Sequence, residues 1–305
     1  MSNLIKKRVN KWLMEHETVL KEYKAAFLSL WRNPLTKMGL ILMGVLIFVA
    51  IFAPYLAPYP EQGLGKSNME ERLQPPGWRH LMGTDYYGRD ILSRIIFGTR
   101  IALFAAVIVV AFALAIGIPT GLIAGYYGGK IDEIIMRVTD LFLAFPALLL
   151  AMVIAAFLGR SLMNALIALS VTWWPWYTRI IRNTVLSIKE RDYVYAAKAL
   201  GISDWKIILF FVLPNSLAPI IVQATIDMGT VILAEAGLAF LGLGSKAGSP
   251  DWGLMVYEGS AYITTHWWYS FFPGLAIFIG VLAFNLLGDA LREFLDPKMR
   301  IRRWV

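Results

Sequence analysis

The sequence predicts an all-α integral membrane protein with six spanning helices, and three observations carry that reading. The 305 residues are 58% hydrophobic and only 16% charged, with a mean hydropathy of +0.59, outside the composition of soluble domains. Six runs lack any charged side chain, at 38–59, 101–129, 141–159, 161–178, 207–226 and 267–288. Each reaches or approaches the roughly 20 residues that a helix needs to cross about 30 Å of hydrocarbon. The runs are apolar all round, whereas the strands of a membrane barrel would alternate apolar and polar residues. The third observation is where the basic residues fall. Eight Lys or Arg lie in 1–37, six in 179–206 and five in 292–303, all segments that six spans place on one side with the two termini. The positive-inside rule makes that side cytoplasmic. The segment 62–100 carries six basic residues on the other side, nearly balanced by Glu70, Glu71, Asp85 and Asp90.

The expected organisation follows in order. Residues 1–36 are a cytoplasmic leader whose Trp12, Leu13, Leu20, Phe27, Leu30 and Trp31 stand among lysines, as in a helix lying at the inner interface. The leader is charged before the first apolar run, which argues against a cleaved signal peptide. Residues 37–98 hold the first span and an external segment. Within it, the prolines of PYLAPYP and QPPGW mark a loop. A helix is expected over 80–100, capped at Thr84 or Asp85, with Asp85 facing Arg89 and Asp90 facing Arg94 at a spacing of four. Residues 99–292 form the core of five spans, and 293–305 a cytoplasmic tail. The net charge of +8 suits anionic inner-leaflet lipid, so nucleic acid is not needed as a partner. With no cysteine, neither disulfides nor thiolate metal sites can form.

One stretch of the core is out of character. Between spans four and five, within about 185–212, YAAKALGISDWKI interrupts the apolar pattern. Ala196, Ala197 and Ala199 give a small-residue helix face, and Gly201 suits the left-handed residue that closes a helix. Ser203 or Asp204 suits the cap of a second helix through Trp205, Ile207 and Ile208. Pro214 then marks the membrane entry of span five. The expected shape is a bent elbow standing off the membrane.

These residues resemble the coupling motif of permeases in binding-protein-dependent ATP-binding-cassette importers. Ala196, Ala197, Gly201, Leu213 and Pro214 match it, while Tyr195 and Phe211 stand where the family commonly has glutamate and histidine. GTDYYGRDILSR at 83–94, MRVTDLFLAFP at 136–146, GLAFLGLG at 237–244, WG at 252–253 and FNLLGDALREFLDP at 284–297 resemble the C-type dipeptide and oligopeptide permeases. The resemblance implies a type I importer permease fold in the cell's inner membrane. It also implies a second homologous permease, two cytoplasmic ATPase subunits holding ATP and Mg, and an external solute-binding protein. The elbow (Ala196, Ala197, Gly201, Ser203, Asp204, Trp205, Ile208, Leu213, Pro214) would dock on an ATPase. The cargo implied is a peptide, with short oligosaccharides or a nickel complex as alternatives.

Asp227 and Glu235 lie within span five, where a charge costs at least about 2.5 kcal/mol. They are candidates for a substrate pathway, against the plainer reading of buried carboxylates bonded to neighbouring helices. Asp140 and Asp289 read as span-end contacts, and Arg137 and Arg292 as interface charges. In a proton-coupled secondary transporter Asp227 or Glu235 would carry the proton, but the inverted repeats common in that class are not visible. A membrane enzyme would need a site, and neither HExxH nor GxSxG occurs. There is also no GxxxxGK[ST] loop, so ATP hydrolysis by that route falls to a partner.

Overall fold

The computed structural model describes residues 33–295. The expected leader helix and most of the tail lie outside the described residues. Among those described every regular element is helical, apart from an isolated bridge between Thr84 and Asp90. Four helices are long and apolar enough to cross a membrane. They are α1 (Pro34–Leu56), α3 (Ile91–Tyr127), the continuous helical path through α9 (Leu213–Phe240), and α11 (Trp268–Leu295). A bent pair, α4 (Gly129–Leu143) and α5 (Ala147–Leu158), passes the same test if taken as one span.

Two of the six expected spans therefore take a different form. The run at 141–159 was expected as one helix, but α4 and α5 meet at 82°. Pro146 lacks a backbone N–H and pushes Phe145 away from helical geometry, so the helix breaks there. The run at 161–178 lies in α6 (Leu162–Lys189), a full 28 residues, which is not among the four. Its TWWPWYTR segment dilutes the apolar character with interfacial aromatics.

Close approaches of glycines fix the helix directions. Gly117, Gly121 and Gly125 of α3 lie against Tyr177, Ile181 and Val185 of α6, so both chains advance together and the two helices are parallel. Spacing of four puts the three glycines on one stripe, where the missing Cβ lets two backbones meet. Thr120 and Thr178 hydroxyls bond across the same seam at 2.7 Å. Because α3 and α6 are parallel, α4 and α5 together must return the chain along the length of α3. Gly39 of α1 meets Leu286 of α11, and Asn33 donates to Glu293 at 3.1 Å, so those helices are antiparallel. Gly229 and Gly288 make α9 and α11 antiparallel through Phe284 and Ile226. Pro34, Tyr127, Lys189 and Leu295 consequently share one end of the bundle. Residues 57–90 occupy the other, with Tyr59 N–H donating to Ser93 Oγ at 3.0 Å. Along α3, Arg94 and Gly125 are about 46 Å apart.

At that far end the expected helix over 80–100 forms over 91–100, and residues 80–90 are a compact turn-rich segment instead. Gly83 and Gly88 take φ of +76° and +71°, left-handed values that break a helix, and α3 begins only at Ile91. Asp90 caps it, accepting from Ser93 N at 2.7 Å. Asp85 instead accepts from Tyr87 N and Arg89 N and pairs with Arg89 Nε at 2.6 Å. The expected Asp90–Arg94 pair does not form. Arg94 is fully buried and reaches the carbonyls of Gly248 and Ser249, with Asp85 and Glu258 at 3.6 and 3.7 Å. Arg89 also pairs with Glu258 at 3.0 Å. These arginines tie α3 to α10 (Trp252–Ser260), and the pairing is buried, so each charge needs its partner.

His80 is likewise buried, with its ring nitrogens on Asp90 at 2.8 Å and Glu71 at 3.2 Å, while His266 bonds Thr265. Pro54 leaves the Ala50 carbonyl of α1 without its helical donor, and Arg100 supplies one, Nε to Ala50 O at 2.5 Å and Nη2 to Ile51 O at 2.9 Å.

Candidate functional site

At the end shared by Pro34 and Leu295, the chain leaves α6 and turns through α7 (Asp192–Ala199) and the single turn α8 (Asp204–Ile207). A π-turn, Ile208–Val212, then leads into α9 without a break. The expected second elbow helix is thus one turn long and merges with the following span. Pro214 sits inside the continuous helical path, just after the join of the π-turn and α9, so the change of backbone bonding there accompanies its missing N–H.

The bend between α7 and α8 is built by hydrogen bonding. Gly201 has φ +75°, its N–H bonds the Lys198 carbonyl at 2.9 Å, and Ile202 N–H reaches back to Ala197 at 3.2 Å. That double closure is a Schellman motif, completed by Ile202 packing into the core. No atom lies within 4 Å of where a Gly201 Cβ would stand, so an added methyl meets backbone strain alone. Gly201→Ala is expected to cost about 1–2 kcal/mol at this bend. Hydrogen exchange over 196–203 should accelerate by about tenfold or more while α3 stays protected. Unchanged exchange would show that the bend does not depend on Gly201.

The elbow has an inner and an outer side. Val194, Ala197, Ile207 and Val212 are buried in one cluster with Val185, Ile188 and Tyr126, so the elbow is fixed to its own bundle. Ala196, Ala199, Gly201, Ser203, Asp204 and Lys206 are exposed. Large apolar groups join them, with Leu200 80% and Trp205 56% exposed, and Tyr195 beside them. Of the residues singled out from sequence, Ala196, Gly201, Ser203, Asp204, Trp205 and Pro214 face outward. Ala197 faces inward, and Ile208 and Leu213 are half-buried against the core. Leu200 and Trp205 thus stand together as exposed apolar groups on the outer side of the bend.

Charged contacts hold this end together. Arg182 of α6 grips Asp132 of α4 in a bidentate pair. Arg179 pairs with Asp140, and Lys189 donates to the Gly125 carbonyl at 3.0 Å. Tyr195 donates to the Glu190 carboxylate, which raises the phenol's pKa and places a carboxylate beside the outer face. Sequence reasoning missed Tyr126, whose hydroxyl donates to Asp204 at 2.7 Å. Its position at the end of a span was the sole hint.

Asp227 and Glu235 lie in α9, 7% and 4% exposed. Asp227 accepts from Gln223 at 2.9 Å, and Glu235 faces the Asp251 carboxyl that caps α10.

Residues 117–301 match the family model described as "Binding-protein-dependent transport system inner membrane component". Residues 23–76 match the N-terminal transmembrane domain of oligopeptide transport permease C. The chain is 46% identical over 283 residues to the dipeptide transport system permease protein DppC of Alkalihalophilus pseudofirmus, covering 93% of this chain and 92% of that one. It is 42% identical to the di/tripeptide transport system permease protein DppC of Pseudomonas aeruginosa, over 86% of this chain and 88% of the relative. Among solved structures, an inward-facing conformation of the MetNI methionine ABC transporter aligns with TM-score 0.58 at 21% identity. That alignment covers 68% of this chain and 98% of the other, and speaks to the fold.

Proposed function

This chain belongs to the family of binding-protein-dependent transport system inner membrane components, and from that premise we propose that it is the permease subunit of an ATP-driven importer of di- or oligopeptides. It is a multi-pass inner-membrane protein. The peptide cargo rests on the dipeptide and di/tripeptide relatives, which match it over most of their length.

The observation that carries the reading is the outer face of the elbow. A rigid bend, anchored by its own core, presents Trp205, Leu200 and Tyr195 at the end of the bundle that holds both described termini. We read that end as cytoplasmic, which is where the lysines and arginines of 179–206 concentrate. On this reading α6 and the α4–α5 pair each cross the membrane, giving six spans, and residues 57–90 lie outside. A cytoplasmic ATPase would cover the outer face, through Ala196, Gly201, Ser203, Asp204 and Trp205. ATP and Mg would bind that partner, whose nucleotide state would bias the elbow between two positions. A second homologous permease completes the pathway, and an external binding protein delivers cargo. For Asp227 and Glu235, burial within the chain supports packing over contact with cargo.

Purification of the complex with its binding protein, reconstitution into liposomes and uptake of a radiolabelled dipeptide tests this. Uptake should require ATP and persist with a protonophore. Uptake that survives ATP depletion and stops with the protonophore would overturn it.

A further inference from the structure

The elbow is joined covalently to α6 and α9, but nothing covalent joins it to α3. Besides apolar packing, the polar link between them among the described residues runs through one side chain. Tyr126, the penultimate residue of α3 and 7% exposed, donates its hydroxyl to the Asp204 carboxylate of α8 at 2.7 Å. Lys198 of α7 lies 4.9 Å from the centre of the same ring. Both limbs of the elbow therefore close on one residue, from two sides of the glycine bend. A bond to a carboxylate is of the stronger kind, and the ring belongs to the same buried cluster as Leu122 and Ile188. From Tyr126, α3 runs back through the 35 residues 91–125 to the far end, where its first turns carry Arg94 and hold the loop before α10.

We infer that Tyr126 is the positioning residue that makes α3 follow the elbow, so that movement imposed on the elbow reaches the arginine-locked far end of the bundle. The inference rests on the elbow being the element a partner moves. Packing of Val194 and Ala197 is non-directional and tolerates sliding, whereas a hydrogen bond to Asp204 fixes the register of α3 against α8. Phenylalanine would keep the ring, its burial and the lysine contact, and lose the bond alone.

The chain has no native cysteine, so paired labels report on chosen positions within it. Spin labels at Tyr193→Cys on the elbow and Phe112→Cys on α3 both sit on exposed positions away from Leu200 and Trp205. In the assembled transporter, their separation should stay constant between the nucleotide-free and ATP–vanadate states. With Tyr126→Phe the same pair should shift by about 1–2 Å or more on nucleotide binding. Asp204→Asn, which keeps a weaker acceptor, should give a smaller shift. A changing separation with Tyr126 intact, or a constant one in Tyr126→Phe, overturns the relay. A second pair, Tyr193→Cys with Phe278→Cys on α11, reports whether the elbow moves at all. No nucleotide response there defeats the elbow reading itself, and this inference with it.

Discussion

Replacing Gly121 with valine is expected to separate α3 from α6 and to leave little folded protein in detergent extracts. A Cβ at this position would lie 2.7 Å from Ile181 Cβ and 2.8 Å from the Thr178 carbonyl, and neither is the end of a flexible chain. Valine adds two further methyls. The helices would have to move apart along a seam that includes Gly117, Gly125 and the Thr120–Thr178 bond, so relief at one position loosens all. Overpacking costs about 1–3 kcal/mol where side chains can adjust, and here the obstacle includes backbone. Gly44→Val is the control, since nothing lies within 4 Å of that Cβ. Melting of the two variants in detergent should differ by many degrees. Equal midpoints would mean that the glycine stripe does not set the approach of the helices.

Arg89→Met should be the second severe change, at the other end of the molecule. It strips Asp85 of its 2.6 Å partner and Glu258 of its 3.0 Å partner, leaving Asp85 its two backbone donors with Arg94 at 3.6 Å, and Glu258 the Tyr269 hydroxyl at 3.1 Å with Arg94 at 3.7 Å. Asp85 is fully buried, so its charge has no water to turn to. Removing one member of such a set costs about 3–5 kcal/mol, much of it the penalty for the charge left behind. Arg89→Lys should recover part of the loss, because an ammonium keeps the charge and cannot span both carboxylates as a guanidinium does. Thermal melting should rank native above lysine above methionine. A methionine variant as stable as the native chain would show that the cluster contributes nothing.

Local chemistry made much of this architecture legible, and distant contacts hid the rest. Charge-free runs locate α1, α3, α9 and α11, because a helix in lipid needs only length and apolarity. Gly201 was readable because a left-handed closing residue is a property of its own backbone. The break at Pro146 was overlooked because an uncharged run of suitable length reads as one span, although proline forbids the helix from passing through straight. Asp90 and Arg94 sit four apart and suggest a pair, yet Glu258 and the Gly248 and Ser249 carbonyls claim the arginine from over 150 positions away. Within the elbow, composition could not say that Ala196 faces out while Ala197 faces in, since that depends on how α7 is rotated against α6. Tyr126 was invisible for the same reason, its partner Asp204 being 78 positions along the chain.

On the proposed reading, the outer face of the elbow seats an ATPase subunit. A photoreactive benzoylphenylalanine in place of Trp205, irradiated in membranes containing the assembled transporter, tests it at one residue. The account predicts a cross-linked product containing this chain and the ATPase subunit, formed in high yield and lost when the ATPase is stripped away. Cross-links confined to lipid or to this chain itself, with the ATPase present and active, would contradict it.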